Sequence, residues 1–255
     1  YDFDMLLKEL QKLEDENPSL ASQNSPTKRV GGDITKDFET VAHRYPMLSL
    51  SNSYSKEEIE EFDTRIRKLV DGDIEYVCEL KYDGVAISIT YENGELTKAI
   101  TRGDGVQGED VTANVRTIKS VPLILRGDYP SSFDIRGEIV FPLEAFNQLN
   151  KGREEAGEQL FANPRNTASG TLKMQDSSIV AARKLDCQLY QLYADKIPFS
   201  GHFEAVNAVA SWGFKTPSLK ENYIKKVNSI EEIMEFINYW DINREKLPFE
   251  IDGIV

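Results

Sequence analysis

The stretch CELKYDGVAISITY, residues 78–91, decides the fold. From Val85 onward, Val85, Ile87, Ile89 and Tyr91 fall on every second position, the period of a strand. Asn93-Gly94 follows as a tight hairpin turn, and LTKAITR (96–102) reads as the returning strand. Glu79 and Lys81 are also two apart, so a strand puts them on one face. The hairpin is expected to fix Lys81 at its start, beside the turn Asp83-Gly84. A lysine in an apolar run is costly to bury. Three readings stay open: a strand-edge lysine with a snorkelling stem, an ion-pair partner, or a nucleophile. A nucleophilic lysine must be neutral, so its surroundings must depress its pKa or lend it a base.

Working outward, FDIRGEIVF (133–141) is a strand, followed by a helix opened by Pro142. KLDCQLYQLYAD (184–195) is a third strand region, helical patterns lie near 202–211 and 229–239, and PFEIDGIV (248–255) is a further strand. Ser55 and Glu58 form a capping box, and the helix behind them is expected to bury Ile59, Phe62, Ile66 and Leu69. Strands and helices mix without regular alternation, which predicts an α+β fold of antiparallel sheets flanked by helices. Phe3, Leu6, Leu7, Leu10 and Leu13 give residues 1–14 one apolar helical stripe, and the Ser-, Pro- and Gly-rich stretch 17–33 reads as a loop or linker. Residues 1–38 are therefore expected to be a small helical appendage, and 39–255 the main domain. The first helix begins at residue 1 without a cap, so the chain is expected to be cut from something longer.

The 255 residues are 40% hydrophobic and 29% charged, a balance typical of a globular protein in water. There is no long uncharged apolar run, and the acidic start is not a signal peptide. Cys78 and Cys187 lack metal-site spacing and read as reduced, cytoplasmic thiols. The net charge of −13 is opposite to that of a domain that clamps nucleic acid by itself. Contact with DNA would need a local basic patch, a metal ion or further domains. His43 and His202 share no triad or metal spacing and receive no catalytic role.

Five polar clusters accompany glycine turns or strand ends: 79–84, 102–105, 136–138, 163–166 (leading to Lys173) and 250–253. Glycine there permits tight turns beside charge. Arg102, Arg165 and Lys173 are cations that would depress the pKa of Lys81 and stabilise an attacked phosphate. Plainer readings pair Arg102 with Asp104 and Glu138 with Arg136, and make Tyr190 and Tyr193 core aromatics.

Taken in order, ELKYDG, TRGDGVQGEDVT, RGEIVF, FANPRNTASGTLK and LPFEIDG closely resemble the bacterial NAD-dependent DNA ligases. HRYPMLSLSNSYS and SPTKRVGG resemble segments those enzymes carry ahead of the lysine motif. The likeness covers nearly the whole chain. It implies a nucleotidyltransferase (adenylation) domain preceded by part of a helical domain that binds nicotinamide mononucleotide. By this resemblance Lys81 attacks the adenylyl phosphorus of NAD and expels the mononucleotide. The adenylate then passes to the 5′-phosphate of a nick, which the 3′-hydroxyl seals, with Mg2+ throughout, in DNA replication and repair. Ser49, Leu50, Glu79, Lys81, Tyr82, Arg102 and Glu138 match positions that contact the adenylate. The resemblance gives Glu79 the adenine edge, Arg102 and Glu138 the ribose, and Tyr193 a stack on adenine. Arg165 and Lys173 match cations that support catalysis, and Asp252 a carboxylate for metal-assisted steps. Tyr1 and Asp2 match the end of the mononucleotide grip. Metal ligands stay unassigned. The implied partners are NAD and nicked double-stranded DNA, with no membrane and a monomeric state.

Departures accompany the likeness. At Lys173 the family more often has arginine, whose bidentate fork lysine lacks. The chain stops at Val255, short of the lysine expected after EIDG, so the fragment alone is expected to bind the adenosine half of NAD, to label poorly or not at all and not to seal nicks. Two other readings share Lys-x-Asp-Gly: an ATP-using ligase or capping-type transferase, and a nucleotide-binding module without catalysis.

Overall fold

The computed structural model describes residues 2–22, 25–27 and 37–255, with side chains from Met5 onward. The elements, in order, are α1 (Asp2–Glu16), β1 (Thr40–Ala42), α2 (Lys56–Arg67), β2 (Tyr76–Tyr82), β3 (Val85–Glu92), β4 (Glu95–Thr101), β5 (Gln107–Glu109) and α3 (Thr112–Val115). Then come β6 (Ser132–Val140), α4 (Leu143–Glu155), α5 (Pro164–Leu172), α6 (Ser177–Ala182), β7 (Asp186–Tyr193), α7 (His202–Ala210), β8 (Ile224–Val227), α8 (Ile230–Asn243) and β9 (Ile251–Ile254). The strands expected at 85–91, 96–102, 133–141, 184–195 and 248–255 and the helices near 202–211 and 229–239 form, with β1, β5, β8 and α3 additional to them. The fold is α+β, and every ladder among the described strands is antiparallel.

Three sheets form: β4-β3-β6-β7, β8-β2-β9 and the pair β1-β5. In the hairpin β3-β4, Asn93 (φ 51°) and Gly94 (φ 81°) supply the two left-handed residues a tight turn requires. Ile87, Ile89, Tyr91, Phe133, Ile135, Leu189, Trp212 and Phe214 form the larger core on one face of the four-stranded sheet. Tyr91 stacks on Phe133, and Phe214 meets both edge-on. A smaller core gathers Cys78, Leu80 and Tyr82 of β2 with Phe236 and Trp240 of α8, Phe249 and Ile251.

Lys81 does not begin the hairpin. It lies near the end of β2, in the small sheet, while Val85 opens β3 in the large one. Gly84 is the corner between them. A Cβ there would stand 2.3 Å from the Ile139 carbonyl oxygen and 3.0 Å from Glu138 Cγ, so only glycine lets the chain pass. The two sheets meet at this seam.

Helix α2 corrects a second expectation. It is capped by Ser55 as read, with Glu58 N–H donating to Ser55 Oγ. None of its residues is fully buried, however: Ile59 and Ile66 are half-buried, and Phe62 and Leu69 are exposed. Phe62 instead leans on the ring of Tyr76, and Asp63 holds the Tyr76 hydroxyl. Leu6 and Leu13 of α1 are likewise exposed.

Candidate active site

Strand β2 sorts its side chains by alternation: Cys78, Leu80 and Tyr82 enter the small core, and Glu79 and Lys81 take the opposite face. The side chain of Tyr82 thereby lies on the face away from Glu79 and Lys81, against the expectation that it joins them. Its ring packs on Phe249 and its buried hydroxyl has no partner among the described residues. Burial drives that phenol's pKa up.

Opposite Lys81, β9 carries a bulge. Lys81 pairs with Gly253 and Tyr82 with Ile251, which leaves Asp252 as the extra residue. Bulges re-aim side chains, and this one turns Asp252 onto the lysine, with Lys81 Nζ 2.5 Å from Asp252 Oδ1. Gly253 adopts φ 149°, a conformation other residues rarely take. Lys81 is thus an ion-pair partner, of Asp252 rather than of Glu79.

The large sheet supplies the other wall. Glu138, on β6, stands opposite Ala86 of β3, and Ala86 accepts the Arg102 amide. Glu138 is half-buried, and desolvation pushes its carboxyl up to about 7. The Tyr190 hydroxyl and the charges of Arg165, Lys81 and Arg102 pull the other way. The charges that act on this carboxyl thus come from β2, α5 and the turn after β4. The plainer pairings do not form. Asp104 accepts from the Val106 and Gln107 amides, which hold its carboxyl below the usual range. Arg136 lies 4.0 Å from the centre of the Tyr193 ring and donates to the Tyr45 carbonyl.

Arg165 sits in the first turn of α5, capped by Asn163, whose side chain accepts from the Asn166 amide, with Pro164 fixing the first turn. The guanidinium reaches Asp83 at 3.0 Å, next to the Gly84 corner. Lys173 ends the same helix and pairs with Glu109 of β5, beyond the Arg102 turn. Ser49 and Leu50 are exposed, on a segment tied to that turn by the Met47 amide on Gly105. Tyr1 lies outside the described residues, as does the side chain of Asp2.

Tyr193 is not brought to the site. It faces Asp134, four residues along β6 from Glu138, roughly 13 Å away at strand rise. Its ring stacks on Tyr45 at 5.3 Å with Arg136 over it. Tyr190 takes the place beside Glu138, at 3.4 Å. The cause is a second bulge: Arg136 pairs with Gln191 and Gly137 with Leu189, leaving Tyr190 as the extra residue.

His202 is the residue sequence spacing passed over. It is the first residue of α7, and its Nε2 lies 3.0 Å from Glu79 Oε1. A separation of 123 residues offers no local signal.

Among the described residues, no group of three or more His, Cys, Asp or Glu could hold a metal ion. Mg2+ commonly binds through one or two carboxylates plus substrate phosphates. Asp252 and Asp83, held by Lys81 and Arg165, are the acidic groups at the seam.

Together, fold and side chains define an α+β domain whose two sheets bring an amine paired with Asp252 and a guanidinium paired with Asp83 to one seam. Residues 35–255 match the family described as NAD-dependent DNA ligase adenylation domain, and residues 1–31 match DNA ligase-like, N-terminal NAD+-binding domain. The chain belongs to the NAD-dependent DNA ligase adenylation domain family. It is 56% identical to a DNA ligase of Christiangramia forsetii, 55% to one of Bacteroides fragilis and 51% to one of Cytophaga hutchinsonii. Each likeness covers all of this chain and 38% of the relative, so the chain spans little more than a third of those ligases. No helix among the described residues is long and apolar enough to cross a membrane.

Proposed function

We propose that this chain is the adenylating part of an NAD-dependent DNA ligase, with Lys81 as the attacking amine. The observation that carries the reading is the Lys81–Asp252 pair on a β-bulge at the seam where Arg165 holds Asp83, with the charges of Arg165, Lys81 and Arg102 acting on the Glu138 carboxyl. The bonds balance simply. The Lys81 amine forms a P–N bond to the adenylyl phosphorus of NAD, and the P–O bond to nicotinamide mononucleotide breaks. The ammonium must first lose a proton, and Asp252 Oδ1 is placed to hold it. Arg165 and Arg102 offset charge on the phosphate oxygens. Glu79 meets the adenine edge, Arg102 and Glu138 hold the ribose, and Ser49 and Leu50 close over the nucleotide. Lys173, tied to Glu109, supports the Arg102 side from outside. Mg2+ supplies charge neutralisation at the phosphates when bound. Asp2 and Tyr1 belong to the mononucleotide grip, within an appendage of residues 1–38 ahead of the domain 39–255. Within the whole ligase the adenylate would pass to nicked DNA in the bacterial cytoplasm, the enzyme acting as a monomer.

Intact-mass spectrometry after incubation with NAD or with ATP tests the reading. A small adenylated fraction on Lys81 from NAD is expected, in keeping with the poor labelling expected of this fragment, and Lys81→Ala removes it. Labelling from ATP but not NAD, or full labelling of Lys81→Ala, would sink it.

A further inference from the structure

We propose that His202 is a positioning residue that orients Glu79 and so sets a preference for a 6-amino over a 6-oxo purine. The inference rests on the reading in which Glu79 meets the purine edge. Glu79 is only 7% exposed, and its backbone is fixed on both sides: it faces Ile224 of β8, and its N–H and C=O both bond to Val255. Only the side-chain torsions remain free, and His202 Nε2 holds Oε1 at 3.0 Å. The other oxygen, Oε2, has no hydrogen-bond partner among the described residues.

A carboxylate only accepts hydrogen bonds, so His202 must donate through Nε2–H. Locked this way, Glu79 presents one oriented acceptor. An exocyclic amine donates to it, whereas a 6-oxo group sets acceptor against acceptor. Sites built to bond a donor reject ligands that lack it, because the buried group is left unpaired. The histidine is itself well founded. Two residues along α7, Glu204 bonds Lys226 of β8, which also pairs with Glu75. Ala205, Val206 and Val209 bury the helix behind it.

The test uses the chain as it stands, with AMP and IMP titrated by calorimetry against wild type, His202→Ala, His202→Gln and Glu79→Ala. Circular dichroism checks that each variant is folded. Wild type is expected to favour AMP by about ten- to hundredfold, the range of one hydrogen bond to a charged group. His202→Ala should lose most of that ratio through weaker AMP binding. His202→Gln, whose amide can donate from a similar place, should restore part of it. Should His202→Ala not fold, the comparison of His202→Gln with Glu79→Ala still decides: a ratio in His202→Gln as low as in Glu79→Ala overturns the proposal. An unchanged ratio in His202→Ala, with the ratio lost in Glu79→Ala, overturns it too while leaving the Glu79 reading intact. An unchanged ratio in Glu79→Ala overturns that reading, and failure of wild type to bind either nucleotide overturns the nucleotide site itself.

Discussion

Glu138 carries a consequence at the scale of a single carboxyl. Desolvation raises its folded-state pKa from 4.5 to about 7. Below about pH 4.5 both folded and unfolded chains hold the proton; between there and about 7 only the folded chain does. The unfolded state binds fewer protons in that window, so this group's contribution to stability falls as pH rises through it. Glu138→Gln should flatten the slope and stabilise the chain at pH 8 by about 1–3 kcal/mol. Urea unfolding at pH 5 and pH 8 measures both, and an unchanged slope would refute the assignment. Asp252 has a different effect. Its pair with Lys81 is over a third exposed, so Asp252→Asn should leave stability within about 0.5 kcal/mol of wild type. Adenylation should slow by about a hundredfold or more, the usual worth of a positioned proton acceptor. Quench-flow labelling with NAD reads the rate.

Two glycines make opposite demands on the elements that frame the lysine. At Gly84 the obstacle is steric: a methyl group would strike the Ile139 carbonyl and the Glu138 stem. Gly84→Ala should cost about 1–3 kcal/mol, as overpacking does. At Gly253 there is open space but φ is 149°, so the strain of Gly253→Ala lies in the backbone, again about 1–3 kcal/mol. Thermal unfolding compares them. A deletion of Asp252 that removes the bulge should relieve the strain of the second variant and leave the first unchanged; equal relief in both would contradict the distinction. Bulges also explain what periodicity misses. Alternation assigns strands well, but Cys187 and Leu189 step by two and Leu192 by three, and the phase changes at Tyr190. That slip brings Tyr190 to Glu138 and leaves Tyr193 with Arg136 and Tyr45.

The hairpin, the strands of the large sheet and most of the longer helices were legible because each follows from a local period or cap, whereas β1, β5 and β8 are too short to show one. The shared face of Glu79 and Lys81 was legible too. Alternation also puts Tyr82 on the face opposite Glu79 and Lys81, which grouping it with them by resemblance overlooks; what stayed hidden depends on tertiary context, since His202 meets Glu79 only when α7 docks. The exposure of Phe62 and Leu69 shows that an apolar stripe fixes a helix but not what covers it. The net charge of −13 acts at this scale as well. The chain alone should bind nicked duplex DNA no tighter than about 10⁻⁴ M near physiological salt, the weak end of non-specific binding. Fluorescence anisotropy measures this, and micromolar binding would show that a local patch of cations outweighs the total.

The corner at Gly84 has one more effect. Spacings within each sheet are set by ladders of hydrogen bonds, but the amine of Lys81 and the carboxyl of Glu138 stand in different sheets. Their separation is gauged by a connection of two residues, Asp83 and Gly84. One residue inserted there would lengthen the tether by about 3.3 Å, more than a hydrogen bond, with every side chain of the site still present. Selectivity for reach, as opposed to composition, is therefore written into the length of that connection.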